Sequence, residues 1–138
     1  MPGVEFLDAN ILVYAYDRTD QAKQRTAQDL LRLAVAGQML ISPQVLGEFS
    51  ATLLYKLSTP VKPADLVSIL DALSPIKVVA TDAAIVRRAV EARGKYGVHF
   101  YDGMIIASAE RGRCTRLWSE DFNAGQEYFG VVATNPFE

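Results

Sequence analysis

Short apolar runs alternate with stretches of helical periodicity along the whole chain. Val4-Glu5-Phe6-Leu7 predicts a first short strand, and after Asp8 the run Ile11-Leu12-Val13-Tyr14-Ala15-Tyr16 continues as an apolar segment. Ala27, Leu30, Leu31 and Ala34 follow the i, i+3, i+4, i+7 spacing of an amphipathic helix, which Gly37 ends. Met39-Leu40-Ile41 predicts a second strand. Ser42-Pro43 closes it and suits a helix start, because proline in the first helical position gives up no hydrogen bond. A helix is expected from about Pro43 to Leu57, with Leu46, Leu53 and Leu57 on one stripe and Ser58-Thr59-Pro60 as its break. Pro63 opens a further helix through Leu66, Ile69, Leu70 and Leu73. Ile76 to Ala80 predicts a third strand, and Thr81 is placed to cap a helix carrying Ile85, Val86, Ala89 and Val90, with Gly94 and Gly97 at its end. A small-residue helix over Met104, Ile105, Ala107, Ser108 and Ala109 stops near Gly112. Thr115 to Trp118 and Val131 to Ala133 supply two last strands.

Such alternation predicts an α/β fold, a central mostly parallel sheet of about five strands flanked by helices. One domain over residues 1–138 is expected, since two cores in a chain of 138 residues would each be thin. In sheets of this kind ligands collect in the crevice outside the carboxyl ends of the strands, which says where chemistry belongs.

Composition narrows that chemistry. Half the residues are hydrophobic and 22% are charged, ordinary for a globular protein, and the net charge of -2 argues against holding nucleic acid through a large basic surface alone. Any polyanionic partner therefore needs positive charge from elsewhere, and a bound metal is one source. Cys114 is the sole cysteine and His99 the sole histidine. An internal disulfide, a Cys/His zinc site and a redox CxxC pair are excluded, and a nucleophile–histidine arrangement could draw only on His99. Neither GxxxxGK[ST] nor GxGxxG occurs, no basic-then-apolar leader opens the sequence, and no apolar run approaches a membrane span. A soluble, cytoplasmic protein with no membrane partner is expected.

The predicted elements put three carboxylates at strand ends. Asp8 ends the first strand, Asp102 opens the last helix and Asp121 follows the Leu117-Trp118 strand, while Glu48 lies within the helix after the second strand. Brought together they would repel, and either a proton or a divalent cation must relieve the conflict. Oxygen-only ligands suit Mg²⁺ or Mn²⁺. Each residue also has a structural reading: Asp8 as a turn or cap residue, Asp102 as a dipole-favoured acid at a helix start, and Asp121 as loop solvation. Glu48 has the least support from placement, because its helical neighbours Val45, Ala51, Thr52 and Tyr55 lie away from the leucine stripe. Spacing alone leaves both readings open.

The words around these acids go further. Leu7-Asp8-Ala9-Asn10-Ile11-Leu12-Val13-Tyr14-Ala15, Val45-Leu46-Gly47-Glu48-Phe49, Tyr101-Asp102-Gly103-Met104-Ile105-Ile106-Ala107-Ser108-Ala109 and Leu117-Trp118-Ser119-Glu120-Asp121-Phe122 occur in that order, with a closing Gly130-Val131-Val132-Ala133-Thr134-Asn135-Pro136-Phe137. Over nearly its whole length the chain resembles the PIN-domain family, and within it the VapC-like toxins of type II toxin–antitoxin pairs. The resemblance implies that Asp8, Glu48, Asp102 and Asp121 are the acidic catalytic and metal-site residues, and that Asn10 and Ser119 support them by hydrogen bonds. It implies a Mg²⁺-dependent endoribonuclease (Mn²⁺ being an alternative), an RNA substrate, a cognate antitoxin protein and a homodimer. Gly103 departs from the family's usual alanine, which is expected to loosen that helix start, and Asn123-Ala124-Gly125 is an atypical turn. Whether Glu120 joins the site stays open. Arg87, Arg88, Arg93 and Lys95 either line an RNA path or form a solvated helix face. Two rival readings are a non-catalytic PIN-like module that binds RNA or protein, and a small Mg²⁺ phosphohydrolase. The latter usually pairs an aspartyl nucleophile with a lysine, and none of the four words holds a lysine.

Overall fold

A computed structural model of the chain describes residues 3–138. Its elements run β1 (Val4–Leu7), α1 (Ala9–Tyr16), α2 (Gln21–Val35), β2 (Met39–Ile41), α3 (Pro43–Tyr55), α4 (Pro63–Leu73), β3 (Lys77–Val78), α5 (Ala83–Tyr96), α6 (Phe100–Arg111), β4 (Cys114–Trp118), β5 (Glu127–Tyr128) and β6 (Val131–Thr134). The six strands form one sheet in the order β3-β2-β1-β4-β6-β5. Every pairing is parallel except β5 with β6. The mostly parallel α/β architecture is therefore as expected, with one more strand than the sequence pattern gave. That strand is the two-residue β5, too short to carry any alternation.

Strand order fixes where a site can form. From β1 the chain steps outward to β2 and β3 on one side, then crosses to β4 on the other. Backbone connections thus diverge between the carboxyl ends of β1 and β4, and a crevice opens there. Parallel register aligns Leu7 with Trp118, so Asp8 and Ser119 leave the sheet side by side. The backbone N–H of Asp8 donates to the Trp118 carbonyl at 3.0 Å, and that of Ser119 to the Thr134 carbonyl at 3.0 Å, extending the ladder into the crevice.

The core lies on both faces of the sheet and is built from Phe6, Leu7, Ile11, Leu12, Met39, Ile41, Phe49, Leu53, Ile105, Ile106 and Leu117, all fully buried. Burial also explains where the sequence pattern misled. The run Ile11 to Tyr16 is helix α1, whose Ile11, Leu12 and Ala15 are buried and whose Val13, Tyr14 and Tyr16 are half-buried. A helix covered on most sides shows no polar stripe, so its period does not appear in the sequence. On α3 the buried stripe is Val45, Phe49 and Leu53, with Leu46 and Leu57 only partly covered. On α5 Ala89 and Ala92 face inward with Ile85, while Val86 and Val90 are exposed. The third strand is shorter than expected, and Asp82 rather than Thr81 caps α5, its Oδ1 accepting from the Ile85 N–H at 3.2 Å.

Gly103 does the opposite of loosening α6. A Cβ there would lie 2.6 Å from the Ala89 carbonyl oxygen, so glycine is what lets α5 and α6 approach so closely. Cys114 is buried, its thiol pushed up to about 12 by desolvation and then by the Glu5 charge, and it offers no thiolate chemistry. Among the described residues no helix is long and apolar enough to cross a membrane.

Candidate active site

Each of the four predicted acids comes from a different part of the fold. Asp8 caps α1, and its Oδ1 accepts from the Ala9 N–H at 2.7 Å. Its other oxygen, Oδ2, accepts from Ser119 Oγ at 2.7 Å. The residue is only 3% exposed. Burial pushes its carboxyl from 3.8 up to about 7. The two hydrogen bonds pull it back, and the charges of Asp121 and Glu48 push it further up. A buried acid balanced near neutrality, with no lysine or arginine as partner, is unusual for a purely structural cap.

Ser119 organises the β4 side. Its hydroxyl also accepts from Asn10 Nδ2 at 3.2 Å and from the Asp121 N–H at 3.1 Å. The same Asn10 nitrogen donates to Asp121 Oδ2 at 3.0 Å. Asp8, Asn10, Ser119 and Asp121 therefore form one hydrogen-bonded unit across the β1–β4 switch point.

Asp102 approaches from the first turn of α6, half-buried. Its carboxyl is raised by desolvation and then by Asp121, lowered by His99, and raised again by Glu48. Glu48, on the second turn of α3, is exposed and held by Gln44, whose Nε2 donates to Glu48 Oε1 at 2.8 Å and to the Tyr101 carbonyl at 3.0 Å. That bridge ties α3 to the start of α6. Glu48, whose charge is felt at Asp8 and Asp102, is thus tied to the start of α6 by a residue that sequence reading passed over: Gln44, one helical turn before it.

Glu120 turns elsewhere. Its carboxylate accepts from Tyr14 Oη at 2.7 Å and from Lys23 Nζ at 3.3 Å, and Tyr14 packs edge-on against Phe137 with centroids 4.9 Å apart. Asn10, Tyr14, Asp17, Glu48, Glu120 and Asp121 all line a cavity of about 550 Å³ beside the acids. Of the basic residues of α5, Arg87 is exposed, whereas Arg88, Arg93 and Lys95 are engaged in structure. Arg88 forms two 2.8 Å hydrogen bonds to Glu110 and lies 3.5 Å from the Phe129 ring centroid. Arg93 donates to the carbonyls of Gly97 and Val98, and Lys95 lies over Tyr96 and Phe129.

The donor set suits a hard divalent cation. It is oxygen-only, Asp8 and Asp102 both hold their protons more tightly than ordinary carboxyls, and the buried Asn10 Oδ1 and Gln44 Oε1 accept no hydrogen bond within the protein. Among the described residues no three acidic, histidine or cysteine side chains close into a ready-made cage.

A family model described as the PIN domain matches residues 6–126. No curated protein matches the chain. Among solved structures, a chain of a toxin–antitoxin complex from Klebsiella pneumoniae is similar, with TM-score 0.71 and 24% identity over 97% of this chain and 98% of that one. A chain of VapBC2 from Rickettsia felis, bound to a DNA fragment from its promoter, gives TM-score 0.65 and 22% identity over 96% and 98%. VapC20 of Mycobacterium tuberculosis, a toxin that cleaves the sarcin–ricin loop, gives TM-score 0.62 and 17% identity over 82% and 86%.

Proposed function

The chain belongs to the PIN-domain family, and from that premise we propose that it is a Mg²⁺- or Mn²⁺-dependent endoribonuclease, the toxin of a type II toxin–antitoxin pair. What supports the reading is that Asp8, at the switch point of the sheet, and Asp102 are each raised by burial and by the charges of Asp121 and Glu48, with no lysine or arginine balancing either. Asp8, Glu48, Asp102 and Asp121 are the residues that would hold the ion. Bound there, a divalent cation supplies positive charge against a phosphodiester and acidifies water at neutral pH.

The chain's own residues prepare that chemistry. Ser119 and the α1 N-terminus aim both oxygens of Asp8, so its carboxylate is oriented before any ligand arrives. Asn10 donates to Asp121 and Gln44 to Glu48, giving each of these exposed acids a hydrogen-bond partner. Asp8 must lose its proton to act as a ligand, and a carboxyl near 7 does so readily as cation binds. Glu120, saturated by Tyr14 and Lys23, belongs to the wall of the cavity rather than to the ion. Likeness in fold to chains from toxin–antitoxin complexes supports a cognate antitoxin as partner, with a homodimer and a cytoplasmic setting in keeping with that role.

Incubating the protein with total RNA in Mg²⁺, in EDTA, and as the Asp8→Asn variant tests the reading. Cleavage leaving a 5′-phosphate is expected only for wild type with metal. Equal cleavage by Asp8→Asn, or none by wild type freed of its antitoxin, would sink it.

A further inference from the structure

The cavity beside the acids has a second end. Glu48, Thr52 and Lys56 stand at successive turns of α3 and its C-cap, and all three line it. At 1.5 Å of rise per residue, Lys56 lies about 12 Å along the helix from Glu48. Asp17 and Leu57, at the same end, also line an adjoining cavity of about 360 Å³ bordered by Arg18. The two make one groove, which runs from the acids to the α1–α2 connection. Lys56 and Arg18 are exposed, and among the described residues neither makes an ion pair. Asp17, the acid at the junction, accepts from the Thr19 N–H at 3.1 Å and pairs with neither. Elsewhere Lys23, Arg32, Arg88, Arg111 and Arg116 are each matched with a carboxylate. A lysine after a helix is ordinary, because the dipole favours a cation there. What sets Lys56 apart is that it shares a cavity with Glu48 and Asp121. A phosphate chain that starts at the acids leaves the reach of any ion held there within about a Debye length, roughly 8–10 Å. The unmatched lysine and arginine stand where its next charges need partners.

We propose that this groove is a channel for a phosphodiester backbone, with Lys56 and then Arg18 as its phosphate contacts. RNA then has a fixed course, away from the acids along α3 toward the α1–α2 connection. The course relative to the cut rests on the ribonuclease reading; the phosphate contacts do not. Fluorescence anisotropy of fluorescein-labelled octauridylate, on protein carrying Asp8→Asn so that no strand is cut, tests the contacts. The slope of log K against log salt should become shallower by about 0.7 for Lys56→Ala, and by about 1.4 when Arg18→Ala is added. Lys56→Arg should keep the original slope. So should Arg87→Ala, whose exposed cation lines neither cavity. Octaadenylate should give the same losses, because a phosphate contact is blind to the base. In cleavage by protein that retains Asp8, Lys56→Ala should raise KM for the octamer several-fold and leave kcat unchanged. KM for uridylyl-uridine, whose single phosphate cannot reach both ends, should not move. An unchanged slope in the double variant, or an equal effect from Arg87→Ala, would overturn the proposal. So would a Lys56→Ala protein that loses antitoxin affinity but binds the octamer as before. Lys56-dependent binding by a chain whose wild type cuts no RNA would instead sink the ribonuclease reading and keep the channel.

Discussion

Raising the pH from 5 to 8 without metal should weaken the fold, and Asp8 sets the size of the effect. Its carboxyl is buried and raised from 3.8 to about 7, first by desolvation and then by Asp121 and Glu48 against the pull of Ser119 and the Ala9 N–H. The folded state therefore binds this proton more tightly than the unfolded chain does. The stability it contributes is full below pH 3.8, falls as pH rises, and is gone above pH 7, where folding must bury a charge. At 1.36 kcal/mol per pH unit, the two units between pH 5 and 7 amount to at most about 3 kcal/mol. For a domain of this size that corresponds to a fall of roughly 10 °C in Tm. Asp102, raised for the same reasons, acts in the same direction. A cation that binds only the folded protein reverses the loss, by about 2.7 kcal/mol at a hundred times its Kd. Thermal melts followed by circular dichroism at pH 5, 6, 7 and 8, in EDTA and in Mg²⁺, read all of this directly. Asp8→Asn, which keeps the shape but cannot titrate, should show most of the slope removed and little response to Mg²⁺. A wild-type Tm that is flat or rising across this range in EDTA would refute the reasoning, as would an unchanged slope in Asp8→Asn.

Three further outcomes follow from the geometry. Ser119→Ala deletes the donor to Asp8 and the acceptor for Asn10 and the Asp121 N–H, so Mg²⁺ affinity measured by calorimetry should drop about 10- to 100-fold; undiminished affinity would show that Ser119 does not orient the site. Gly103→Ala should destabilise by about 1–3 kcal/mol in urea titration, because the added methyl meets the Ala89 carbonyl at 2.6 Å and the clash outweighs alanine's better helix propensity. A more stable variant would mean that α5 and α6 have room to part. Arg88→Ala should cost roughly 1–2 kcal/mol through the lost Glu110 pair and the Phe129 stack, with KM for RNA unchanged. A selective rise in KM would return Arg88 to the RNA path.

Local chemistry determined much of this molecule before any folding was considered. Chain punctuation by Gly37, Pro43, Pro63 and Gly97 set the helix ends, and apolar runs at Val4–Leu7 and Met39–Ile41 set the inner strands, because these signals act within a few residues. The four ordered acidic words placed the chain among PIN domains for the same reason: each word is contiguous. Helix α1 was not legible, because its apolar faces are covered by elements distant in sequence and periodicity records only exposure. The same holds for the α3 stripe, where packing against α1 selected Val45 and Phe49 over Leu46 and Leu57. At the site, sequence supplied Asp8, Asp102 and Asp121 as strand-end or helix-start acids but left Glu48 without a geometric warrant. Tertiary structure supplies the contact that the sequence lacks. Strand order brings β1 beside β4, and the Gln44 amide donates both to Glu48 and to the Tyr101 carbonyl, tying Glu48 to the α6 turn. It also drew Glu120 away to Tyr14 and Lys23 and took Arg88 and Arg93 of α5 into the fold, while Arg87 stays exposed. A residue type can be read one position at a time, but desolvation and the neighbours' charges, which raise Asp8 toward neutrality, exist only once the chain has closed around it.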